Sequence, residues 1–151
     1  TYQSMGKIGK ELNRETKASE TVREMKEGLS ELEVTGSPRI YCEEWMNPPM
    51  VSGNWIPGLI REIGGEYFIE EGERSRKFEL EKLKAFDPEY IFLNVCGAGE
   101  KADKEALMER EGWQDITAVE NGDVYVVDDA LLNRPGPRLV EGARFIADRV
   151  D

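Results

Sequence analysis

Apolar residues recur at three- and four-residue steps through the first part of the chain: Met5, Ile8 and Leu12, then Val22, Met25, Leu29 and Leu32. That spacing predicts helix over 2–33 with one apolar face. Gly6 and Gly9 weaken the first turns, and Asn13 to Thr16 offer a break point. Glu20, Glu24 and Lys26 leave the opposite face charged. Helix should end near Val34-Thr35-Gly36, because Ser37-Pro38 cannot continue it.

Beyond this point the pattern alternates. Arg39 to Trp45 reads as a strand, Asn54 to Ile63 as a helix with Pro57 early in it, and Glu66 to Glu70 as a short strand. A charged loop (71–77) leads to a short helix, Phe78 to Ala85, and Asp87-Pro88 turns the chain. Tyr90 to Val95 is almost continuously apolar, as expected of a strand covered on both faces. Helix is expected next over 101–110, then an extended piece at 116–119, a tight turn at Asn121-Gly122, a strand over 123–128 and a closing helix over 137–150. Such alternation predicts an α/β fold: a three-layer, Rossmann-like lobe with a mostly parallel sheet of four to five strands, preceded by a long linker helix. Residues 36–151 form one domain, and 1–35 stand outside the alternation.

Charge narrows the partners. Thirty-one acidic against 20 basic residues give a net charge of −11, which repels nucleic-acid phosphates and anionic lipid heads. No apolar run is long enough to predict a membrane span, and no basic-then-apolar leader is present. The start inside a helical pattern suggests a piece of something longer. The chain has no histidine, which removes the commonest general base and the Ser-His-Asp type of catalysis. Two cysteines, Cys42 and Cys96, fall in or at the end of apolar runs and read as buried free thiols; two alone are a poor soft-metal site.

Four clusters of glycine, proline and tryptophan lie just past predicted strand ends: Glu44-Trp45-Met46-Asn47-Pro48-Pro49, Gly53-Asn54-Trp55-Ile56-Pro57, Cys96-Gly97-Ala98-Gly99 and Asn133-Arg134-Pro135-Gly136-Pro137-Arg138. Ligands of open parallel sheets bind beyond the carboxyl ends of the strands. Trp45, Met50 and Trp55 offer broad polarizable faces, and Arg74, Arg76 and Arg134 offer guanidinium groups for carboxylate, phosphate or amide oxygens. Each has a plainer reading: core or sheet-capping for the tryptophans, a solvated charge run for Arg74 and Arg76, pairing with Asp128-Asp129 for Arg134. Gly97-Ala98-Gly99 lacks the spacing of a dinucleotide or phosphate loop. Rigid loops with few proton-transfer groups suit holding a ligand better than transforming one, so no catalytic residue and no metal site is assigned.

Taken in order, these pieces resemble the C-terminal lobe of ABC-importer substrate-binding proteins that carry cobalamin, ferric siderophores or haem. The resemblance rests on Glu44-Trp45 with Pro48-Pro49, Ser52 to Pro57, Gly64-Gly65, Glu81 ahead of Asp87-Pro88-Glu89-Tyr90-Ile91, Cys96-Gly97, Gly112-Trp113, Ala118 to Tyr125 and Arg134 to Val140. The Glu-Trp, Gly-x-Trp-x-Pro and Cys-Gly pieces look nearest the cobalamin-binding subgroup. The resemblance implies an extracytoplasmic receptor that is not an enzyme. Residues 1–35 would be its inter-lobe backbone helix, and a missing N-terminal lobe would complete the cleft. It places Trp45, Met50, Trp55, Arg74, Arg76, Leu132 and Arg134 at the ligand, with cobalamin or a ferric chelate as cargo, and Glu81 against an ABC permease with its ATPase. Basic residues at 74–77 favour an anionic ligand, and the lack of histidine or tyrosine in these loops argues against direct haem-iron ligation. Exposed apolar faces on helix 2–33 would allow self-association.

Two other classes fit less of the chain. A small α/β enzyme or receiver-like domain would use Asp128, Asp129 and Lys101 around Mg²⁺. A pure interaction module would have no groove at the carboxyl edge of the sheet.

Overall fold

The computed structural model describes residues 1–150. The first thirty residues form two helices, α1 (Tyr2–Glu11) and α2 (Glu15–Ser30), so the expected run over 2–33 is divided at its weak point. Asn13 takes φ 51°, a left-handed backbone that asparagine tolerates, and reverses the chain. The two helices then lie side by side. Gly9 faces Ala18 so closely that a Cβ at residue 9 would overlap the alanine methyl. At the other end the Lys26 ammonium sits 5.2 Å from the Tyr2 ring centroid. Met25 and Leu29 of α2 are buried against the rest of the fold.

The sheet comprises β1 (Arg39–Met46), β2 (Pro49–Val51), β3 (Glu66–Tyr67), β4 (Tyr90–Leu93) and β5 (Val124–Val126). Its order is β2-β1-β4-β5, with β3 also on β1. The pairs β1–β4, β4–β5 and β1–β3 are parallel, and only β2 runs antiparallel to β1. One flank of β1 is thus divided: β3 takes Arg39 and Ile40 at its start, and β2 takes Glu43 to Met46 at its end. β2 is absent from the sequence expectation because Pro48-Pro49 reads as loop, yet proline is tolerated at the first position of an edge strand. The ladder shifts between Glu43 and Trp45, leaving Glu44 as a bulge.

Helices cover both faces. Side chains alternate along β1, so Tyr41 faces one way and Ile40 the other. Tyr41 meets Phe68, Phe78 and Trp113 edge-on, with centroids 5.6 to 6.2 Å apart. On the opposite face Ile40 approaches Ile60 of α3 (Ile56–Glu62), and Phe92, which is paired with Cys42, contacts Phe145 of α8 (Leu139–Ala147). The remaining helices are α4 (Leu80–Phe86), α5 (Lys104–Met108), α6 (Thr117–Asn121) and α7 (Asp129–Leu132).

Two of these replace other expectations. Residues 116–119, expected to be extended, open α6, because the Asp87 carboxylate reaches across from the turn before β4. It accepts from the Thr117 backbone N–H and hydroxyl, both at 2.9 Å, and satisfies the start of the helix. The loop expected after β5 contains α7, started by Asp128, whose side chain accepts from the Ala130 amide. The strand expected over 66–70 pairs only through Glu66 and Tyr67. Among the described residues, no helix is long and apolar enough to cross a membrane.

Candidate functional site

The carboxyl ends of β1, β3, β4 and β5 bring four loops to one rim, and polar contacts tie them into a continuous band. Ser52, fully buried, donates from its hydroxyl to Asn94 Oδ1 at 3.1 Å. Asn94 Nδ2 donates to Asn133 Oδ1 at 2.6 Å, and Asn133 Nδ2 returns a bond to the Asn94 carbonyl at 2.8 Å. The same Asn133 amide lies 3.1 Å from Cys96 Sγ. Asp129 accepts from the backbone N–H groups of Gly97 and Gly99 at 3.1 and 3.0 Å, pinning that loop to α7. Gly97 and Gly99 take positive φ (76° and 56°), which turns both amides toward the carboxylate.

On the other side of β1 the 73–76 segment closes onto the 51–54 segment. Val51 and Arg76 exchange backbone bonds, the Asn54 amide donates to the Glu73 carbonyl at 2.6 Å, and the Gly53 amide donates to Ser75 Oγ. Gly53 has no room for a side chain: a Cβ would overlap the backbone of Arg74 and Ser75. Beneath the rim the Tyr67 hydroxyl donates to the Ser52 carbonyl at 2.7 Å.

Trp45 stands 48% exposed at the end of β1, with its indole N–H bonded to the Asn47 carbonyl. Met50, partly exposed, is its cross-strand neighbour on β2. Arg76 and Arg134 are exposed on the tied loops, and Arg74 is there too. Arg76 is held by Glu73 at 3.0 Å, whereas Arg74 and Arg134 have no side-chain hydrogen bond or ion pair among the described residues. Two more of the expected ligand residues lie deeper than these. The Leu132 side chain is fully buried, packed in the core under α8, and only its carbonyl reaches outward. That carbonyl accepts from the Trp55 indole at 2.7 Å, so Trp55 brackets the start of α3 to α7 and is half-buried. Glu81 is exposed in the first turn of α4.

The expectation of two buried thiols holds for one. Cys42 lies in the core, where burial raises its thiol to about 12; Cys96 is exposed on the rim. Partial burial also raises Cys96, helped by the nearby Glu44 carboxylate and opposed by the Asn133 bond. Glu44 itself is shifted up, chiefly by partial burial. Among the described residues no three acidic or cysteine side chains cluster so as to hold a metal ion.

A hollow of about 590 Å³ adjoins the rim and does not sit at its centre. Asn54, Trp55 and Gly72 border it from the loops, while Tyr2, Met25 and Leu139 close it from the helical side. Sequence reasoning missed the Ser52–Asn94–Asn133 relay and the Asp129 clasp. Asn94 carries a signal, being the one polar residue in the Ile91–Val95 run.

Known proteins resemble this chain in sequence and in fold. An uncharacterized ABC transporter substrate-binding lipoprotein, YvrC of Bacillus subtilis, is 26% identical over 159 aligned residues, covering 99% of this chain and 49% of its own length. The iron(3+)-hydroxamate-binding protein FhuD of the same organism is 32% identical over 77 residues, 51% of this chain and 24% of its own. The crystal structure of an ABC-type Fe3+-hydroxamate transport system from Saccharomonospora viridis superposes with a TM-score of 0.84 at 20% identity, covering 99% of this chain and 54% of that one. The chain therefore spans about half the length of YvrC, and its match to FhuD spans a quarter of that protein. The family model described as periplasmic binding protein matches residues 1–131, and the chain belongs to that family of binding proteins.

Proposed function

We propose that residues 36–151 are the C-terminal lobe of the extracytoplasmic substrate-binding component of an ABC importer, and that its rim forms one wall of a ligand cleft. The observation that carries this reading is the pair of guanidinium groups, Arg74 and Arg134, without a side-chain partner among the described residues, on the same strand-end loops as exposed Trp45 and partly exposed Met50, where Ser52, Asn94 and Asn133 are tied to one another. In a chain of net charge −11, cations left unneutralised on one edge suit an anionic or strongly dipolar oxygen shell, and the indole and thioether suit its apolar body. A ferric chelate of hydroxamate type fits that chemistry and agrees with the names of FhuD and the Saccharomonospora structure. Cobalamin, the other expected cargo, has no matching observation on this rim.

Residues 1–35 would connect this lobe to the other wall of the cleft, with α2 as the backbone helix. Glu81 would meet arginines of the permease, whose ATPase drives import. Self-association of the isolated chain through 2–33 would use Ile8 and Leu12, which are 58% and 64% exposed.

Calorimetry with ferrichrome, haem and cyanocobalamin tests the cargo, using both the 151-residue chain and the natural-length protein that contains it. The natural-length protein should bind ferrichrome and the chain alone should bind it weakly or undetectably, since half a cleft buries half the ligand. Arg74→Ala and Arg134→Ala should each weaken ferrichrome binding by about ten- to a hundredfold, the range for losing one charged hydrogen bond. Tight binding of cyanocobalamin with no response to ferrichrome would overturn the cargo assignment, and tight binding by the isolated chain would overturn the half-cleft.

A further inference from the structure

Arg110 lies just beyond α5, far in sequence from the hairpin of β1 and β2, yet its guanidinium grips that hairpin on both sides of the bulge. Ahead of the bulge, Nη1 and Nη2 each donate to a Glu43 carboxylate oxygen at 2.9 Å. Past it, Nη2 also donates to the Met46 carbonyl at 3.2 Å. Glu43 is fully buried and accepts a further bond from the Tyr41 hydroxyl at 2.9 Å. The guanidinium carbon stands 4.5 Å from the Trp113 ring centroid, which fixes the plane of the fork.

Burying such a pair costs most of what its attraction returns, and apolar residues of equal volume would stabilise the core about as well. Stability alone therefore gives little reason for an ion pair here. Geometry gives one. A bulge frees the strand to bend and twist, and the residues past it are Trp45 and, across the turn, Met50. We propose that Glu43 and Arg110 are a positioning pair, clamping the bulged hairpin so that Trp45 and Met50 are held in the pose that receives ligand. The ligand part of this proposal rests on the cleft wall proposed above; the clamp itself does not.

The test is Glu43→Leu combined with Arg110→Met, which removes both charges while keeping the volume. The double variant leaves the buried Tyr41 hydroxyl without its acceptor, so it should still melt cooperatively but several degrees below the wild type. Its amides from Trp45 to Val51 should exchange at least tenfold faster, with those of Ile91 to Leu93 unchanged. In the natural-length protein, ferrichrome should bind at least tenfold more weakly. Wild-type exchange across the hairpin in the folded double variant would overturn the clamp. Faster exchange with unaltered ferrichrome affinity would overturn its role in positioning ligand. Should the double variant fail to fold, Arg110→Lys decides by the same exchange comparison, because one ammonium cannot reproduce the fork to both carboxylate oxygens and the Met46 carbonyl. A wild-type protein that ignores ferrichrome would refute the cargo and leave the exchange result to judge the clamp.

Discussion

At Gly53 the rim depends on the absence of a side chain. The backbone of 73–75 lies against its Cα, and three loop contacts converge within two residues of it. Gly53→Ala must push the two loops apart, and urea unfolding should show a loss of about 1–3 kcal/mol, the usual cost of overpacking. The cysteines separate just as sharply. Maleimide at pH 8 should label Cys96 in the native chain and reach Cys42 only after unfolding, since the Cys42 thiol is both buried and raised to about 12. Mass spectrometry reads one adduct against two. Glu44 gives a pH signature. Its carboxyl is raised by partial burial, so its contribution is fully present below the ordinary carboxylate range and is lost as pH rises through the folded value. Glu44→Gln should therefore raise the melting temperature at pH 7, and the difference should vanish near pH 3.

Elements recruit partners that lie far off in sequence, as α6 does. Its first amide is satisfied by Asp87, thirty residues upstream, which also sits in left-handed backbone (φ 47°) and meets Arg39 at 3.7 Å. Asp87→Ala should cost about 1–2 kcal/mol by the usual value of a lost cap, and Asp87→Asn much less, because asparagine accepts the same bond and tolerates the same φ. Calorimetric melting of both variants checks the order. The same remoteness explains what can be read from sequence. β1, β4 and α8 follow from their own apolar periods, which are local. α6 is invisible there because Ile116 to Val119 is short and mostly β-branched, and its cap comes from elsewhere. β2 is hidden by its prolines. At the rim, the loop positions of Trp45, Met50, Arg74 and Arg134 are legible because they follow directly from where the strands end. Leu132 is misplaced because nothing local distinguishes an apolar side chain pointing inward from one lining a wall. The Ser52–Asn94–Asn133 relay joins three segments that only the sheet brings together.

For the molecule as a whole, the tied rim joins β1, β4, α7 and the 73–76 loop, which cannot part without breaking shared hydrogen bonds. The first helix is less committed. α1 is anchored mainly by α2 and carries exposed Ile8, with Leu12 exposed at its end. Native-state hydrogen exchange of the 151-residue chain should show α1 opening at low free energy while β1 and β4 open only with global unfolding. Equal protection of α1 and β1 would contradict this division. The close passage of Gly9 against Ala18 then has a consequence for shape. Any bulkier residue at position 9 would wedge the two rods apart, swing Thr1 away from Leu139 and widen the hollow they share. The bearing of the first helix against the second is thus steered by a hydrogen atom standing where other residues carry carbon.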